Sequence, residues 1–90
     1  MVDTVGLGNF LFLKRLSLAY TQTFVADVTN ISERTLRYIE SGSVEPELDT
    51  YWTLCDFYGI SPEKGFMFYR RSPDMENNLL ILKQKMPSTG

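Results

Sequence analysis

The sequence predicts an all-α domain built from consecutive short helices. Apolar residues recur at three- and four-residue spacing rather than alternating, and Ser or Thr caps stand before two of the apolar runs, with glycine closing two of the helices. No Asn-Gly or Asp-Gly hairpin signal occurs. Ninety residues make one domain, without internal repeat, low-complexity segment or long linker.

The first helix is expected over residues 6–18, with Leu7, Phe10, Leu11 and Leu18 on one stripe. Phe12 and Leu13 widen that stripe, which predicts burial over much of the helix circumference. Thr21 is a good N-cap for a second helix, with Tyr20 and Val25 at the spacing of a hydrophobic staple. Phe24, Val25, Ala26 and Val28 give that helix its apolar stripe. Asn30 marks a sharp corner, being one of the few residues besides glycine that tolerates left-handed backbone. Ser32 caps the third helix, Ile31 and Leu36 form its staple, and Leu36 with Ile39 forms its buried stripe. Gly42 stops it.

The SVEP segment leads into a fourth helix over residues 48–58, whose core face is Tyr51, Leu54, Cys55 and Tyr58. Gly59 ends it and Ile60 returns to the core. Ser61-Pro62 starts a fifth helix carrying Phe66, Met67 and Tyr69, since proline suits the first helical position. Ser72-Pro73 repeats the signal before a sixth. There Asp74 and Glu76 lie in the first turn and Lys83 and Lys85 in the last, the order that complements the helix dipole. The division expected is a domain over 1–71, a C-terminal helix over 72–86 and a disordered tail over 87–90.

Composition excludes several chemistries. With no histidine there is no histidine-based metal cage or catalytic triad, and the single cysteine, Cys55, falls on a helix core face and forms no internal disulfide. No glycine-rich phosphate loop or paired-carboxylate signature is present, so an enzyme has little support and no cofactor or metal is expected. No apolar run approaches the ~20 residues of a membrane span. The opening MVDTVGLG lacks the cationic region of a signal peptide, so a cytoplasmic setting is expected. The net charge is −2, unevenly spread. Lys14 to Arg37 holds four bases against Asp27 and Glu33, whereas Glu40 to Asp56 holds five acids and no base.

In register, these residues resemble the lambda-repressor-like, Cro/CI (XRE) type helix-turn-helix family over Leu7 to Phe66. The matching features are Leu7-Gly8 and Arg15 in helix one, then Thr21-Gln22 and Ala26 in helix two. Ile31-Ser32 and Leu36 follow in helix three, then Glu40-x-Gly42-x-x-x-Pro46, and last Gly59-Ile60-Ser61. Each is short; seven in register are specific. The resemblance implies a five-helix lambda-repressor-like domain, here with an additional C-terminal helix. The implied function is a sequence-specific DNA-binding transcriptional regulator of repressor type, recognition helix about 32–41 in the major groove, dimeric on a palindromic double-stranded site.

The DNA-binding residues so assigned are Thr21, Gln22, Ser32, Glu33, Arg34, Arg37 and Tyr38. Gln22 corresponds to family glutamines that bond a phosphate at a helix N-terminus. Arg34 is the candidate for reading a guanine edge. Glu33 either accepts from cytosine or holds Arg37 one turn along, and Tyr38 meets thymine methyls or phosphate. Arg15 and Glu40 resemble the family's pair joining helix one to the end of the recognition helix.

The chain departs from the family at Phe12, where relatives carry Lys or Arg, at Asn30 in place of the turn glycine, and in the base-free stretch from Glu40 to Asp49. Glu45 and Glu47 would face phosphates unfavourably, which implies a shallow salt dependence. That departure keeps a second reading open: a protein-interaction module on the same fold, of antirepressor or antitoxin type, with a protein partner. Met75, Leu79, Leu82 and Met86, spaced 4-3-4 and extended by Leu80 and Ile81, either make a homodimer interface or fold back on the chain's own core. Trp52, off the core stripe of helix four, is another candidate interface anchor.

Overall fold

A computed structural model describes residues 2–69. It contains α1 (Thr4–Ser17), α2 (Gln22–Thr29), α3 (Glu33–Glu40), α4 (Leu48–Tyr58) and a 3₁₀ helix (Pro62–Phe68). Among the described residues the only strand-like pairing is an isolated antiparallel bridge between Val2 and Tyr69. The expected helix over 72–86 and the tail lie outside the described residues.

Local chemistry explains most helix boundaries. α1 begins two residues earlier than its apolar pattern suggests, because the Asp3 carboxylate accepts from the Gly6 amide at 2.9 Å. Thr21 and Ser32 cap α2 and α3, each accepting the third amide onward at 3.0 Å. Asn30 is left-handed, φ +60°, at the corner between them. α1, α3 and α4 end alike. The residue after the cap carries positive φ, and paired amides return to the last turn: Ala19 and Tyr20 to Leu16 and Arg15, Gly42 and Ser43 to Ile39 and Tyr38, Gly59 and Ile60 to Asp56 and Cys55. Ala19 is the exception in composition, an alanine at φ +58° where glycine stands in the other two.

The core is Leu7, Leu11, Val25, Leu36, Ile39, Tyr51, Leu54, Cys55 and Tyr58. The four predicted α4 positions are all buried, whereas the stripes of α1 and α2 are narrower than predicted. Leu13, Phe24 and Val28 are exposed, and Phe12 is half-buried. α1 and α2 each lie at the edge of the bundle, so periodicity over-counts their buried width. Phe24 instead joins a surface cluster of rings, 5.0 Å from Tyr20 and 6.1 Å from Phe57. The fifth helix is 3₁₀ rather than α, with Met67 exposed and Tyr69 beyond its end. Gly65 fits there because a Cβ would strike the Tyr51 phenol. Gly8 has a parallel reason: a Cβ would meet the carbonyl oxygens of Ile39 and Glu40, so α1 crosses the end of α3 at backbone contact.

Candidate nucleic-acid interface

α3 is clamped from behind. Leu36 and Ile39 are fully buried, and Glu40 in its last turn receives two bonds from one guanidinium: Arg15 Nε to Oε2 at 2.7 Å and Nη2 to Oε1 at 2.9 Å. The side chains are 8% and 4% exposed. Arg15 Nη1 donates to the Tyr20 carbonyl at 2.8 Å, tying the α1–α2 connection to the same point. The hydrogen bond to Glu40 raises the Arg15 pKa, so the guanidinium stays charged. Its carbon also lies 5.4 Å from the Phe12 ring centre, so this departure from the family covers the ion pair. The pair suggested by the resemblance is therefore a buried, bidentate clamp.

Gln22 belongs to the clamp as well. Its Nε2 donates to Glu40 Oε1 at 2.9 Å, which joins the first turn of α2 to the last turn of α3. One amide hydrogen is used there and the second remains for another acceptor. Sequence gave no signal for this bond, because 18 residues separate its partners.

The opposite face of α3 is open. Glu33, Arg34, Arg37 and Tyr38 are all exposed, with Thr35 beside them. Arg34 Nε donates to the Tyr38 hydroxyl at 3.3 Å, with its guanidinium carbon 5.4 Å from that ring. Glu33 accepts from Thr23 Oγ1 on α2 at 3.1 Å; among the described residues neither it nor Arg37 makes a side-chain ion pair. Thr23 was not among the expected site residues. Thr21 and Ser32 are exposed and act as caps. The Thr21 hydroxyl accepts from Phe24, which leaves its own proton to donate. Ser32 Oγ donates to Thr35 Oγ1 at 2.7 Å, which frees the Thr35 proton instead.

A groove runs beside the N-terminus of α3. Asn30, Ser32 and Thr35 line one side, and Val44, Glu45, Glu47 and Thr50 the other. The two loop carboxylates thus flank the entrance of the helix that would meet DNA. Among the described residues no group of three or more carboxylate or thiol side chains could hold a metal ion. No described helix is long and apolar enough to cross a membrane.

Two helices at a tight left-handed corner, the second clamped from behind and open in front, are the hallmark of one architecture. The helix-turn-helix family model matches residues 11–64. The chain belongs to the lambda-repressor-like (XRE type) helix-turn-helix family. That membership makes it a DNA-binding regulator in general terms, in a family that is not typically enzymatic. Comparison with curated proteins and with solved structures gives no significant match.

Proposed function

We propose that this helix-turn-helix protein is a sequence-specific transcriptional repressor of the cytoplasm that places α3 in the major groove. The observation that carries the reading is the pairing of an exposed Glu33, Arg34, Arg37 and Tyr38 face with a buried Arg15–Glu40–Gln22 clamp behind it. A helix held rigidly at its back can present side chains to base edges without ordering them at binding. Arg34 reads guanine bidentately, steadied by Tyr38, and Glu33 accepts from cytosine. Tyr38 also reaches thymine methyls, and Arg37 neutralises phosphate. At the start of α2, the Thr21 hydroxyl, the spare Gln22 amide hydrogen and the helix N-terminus face the backbone. Ser32 holds the start of α3 through its cap. One such domain contacts few bases, so two copies act together as a dimer on a palindrome with half-sites one turn apart.

The acidic groove supports the second reading, an interaction module with weak DNA binding, because Glu45 and Glu47 stand where phosphates would pass. Selection of bound duplexes in vitro, followed by titration of the selected and scrambled sites at several salt concentrations, separates the two. Selective binding with a shallow salt slope, lost in Arg34→Ala, supports the repressor. Absence of binding to any duplex at low salt overturns it in favour of the interaction module.

A further inference from the structure

The outer flank of α4 takes no part in the face described above. Leu48, Trp52 and Asp56 follow one another at four-residue spacing, with Asp49 beside them. Leu48 is 58% exposed and Trp52 half-buried. With Asp49 and Thr53 they line a shallow, open, mainly apolar hollow. Phe57 lies on the other flank of the helix, stacked 5.3 Å from Tyr20.

The chain leaves the described domain on the side of the hollow. Tyr69, its last described residue, sets its ring edge-on to Phe66, and its hydroxyl is close enough to Glu45 and the Cys55 thiol to feel both. On the α4 helix, Cys55 adjoins the Leu48–Trp52 stripe. Charge divides the molecule at the same point. Residues 2–69 carry nine acids and five bases, a net −4, and no base lies between Arg37 and Lys64. Residues 70–90 carry four bases and two acids, a net +2. In sequence, 74–86 combines the Met75, Leu79, Leu82, Met86 stripe with Lys83 and Lys85.

We propose that residues 74–86 of the same chain dock along the outer flank of α4, covering Leu48 and Trp52 with the leucine stripe and setting Lys83 and Lys85 against Asp49 and Asp56. Two copies of α4 do not cover each other well, because acids would meet acids. The stripe of a second copy has the right chemistry, but only residues 70–73 separate the chain's own segment from Tyr69. A tether that short gives an effective concentration on the order of millimolar. Copies of the protein then meet on DNA rather than through this stripe.

Trp52 is the only tryptophan, so its fluorescence reports on the hollow alone. In the full-length chain, Leu79→Glu with Leu82→Glu shifts Trp52 emission to the red and raises its quenching by acrylamide. Lys83→Glu with Lys85→Glu does the same more weakly, and the effect fades as salt rises. The wild-type signal does not change with protein concentration, and the protein sediments as a monomer. Far-UV circular dichroism verifies that each variant is folded. If a variant unfolds, Leu48→Lys in the wild-type background substitutes for it, with Trp52 quenching again the readout. Unchanged quenching in folded variants overturns the proposal. Quenching that falls as a dimer forms overturns it in favour of a second copy. Neither readout involves DNA, so failure here leaves the repressor reading untouched, and failure there leaves this one.

Discussion

On its inner face α3 buries Leu36 and Ile39 and ends on Glu40, which accepts three charge-assisted or amide bonds from α1 and α2. On its outer face Glu33, Arg34, Arg37 and Tyr38 are exposed, and their bonds among the described residues reach no further than Thr23 and one another. The same eight residues therefore carry two kinds of constraint. The inner face sets where the helix lies, and a change there is felt as stability. The outer face is held only in water-accessible local bonds, so a change there is felt as recognition. Separating the two is what allows a small domain to alter its specificity without losing its fold.

The largest effect should come from the inner face. Arg15→Met strands the Glu40 carboxylate in a site that is almost closed, and chemical denaturation should show a loss of about 3–5 kcal/mol. Adding Glu40→Gln should cost much less than the sum of the single changes; additive losses would mean that the two groups are not coupled. Arg34→Ala should do the opposite. Its stability should stay within about 0.5 kcal/mol of wild type, while affinity for a selected duplex falls by about 1–3 kcal/mol. A stability loss of the Arg15 size in Arg34→Ala would break the division between the faces.

Smaller effects sharpen the inner side. Ala19 sits left-handed in the turn that delivers the Tyr20 carbonyl to Arg15. Ala19→Gly should raise stability by up to ~1 kcal/mol in thermal or denaturant melts, relief of the Cβ clash exceeding the added chain entropy. Tyr58 is buried near the clamp, yet its hydroxyl has no hydrogen-bond partner among the described residues. Tyr58→Phe should therefore change stability at neutral pH by less than ~0.5 kcal/mol. It should also weaken an alkaline effect. Burial raises the phenol pKa values of Tyr51 and Tyr58, so the unfolded chain releases protons that the folded one keeps. Stability is thus full below about pH 10 and declines as pH rises beyond it, less steeply in the variant.

The helices, their caps and the family were legible from local chemistry. Thr21, Ser32, Asn30, Gly42 and Gly59 act on backbone within a few residues of themselves, so their roles do not depend on where the rest of the chain goes. The α4 core face was read correctly for a related reason: that helix is covered by several elements, and its apolar residues have a single inward direction. α1 and α2 were read too wide, because periodicity shows which residues share a stripe and not whether a neighbour covers it. Phe24 and Val28 stayed in water for want of that neighbour.

Distance along the chain decided the rest. Gln22 and Glu40 are 18 residues apart and Arg15 and Glu40 are 25, so a family resemblance could suggest the second pair but nothing local could reveal the first. The placement of Glu45 and Glu47 beside the entrance of α3 likewise follows from how the loop folds back across the helix pair. Side-chain type and short-range spacing determined what this chain could build. Which charged groups were sealed together and which were left facing water was determined by packing, because burial depends on all the surrounding elements at once.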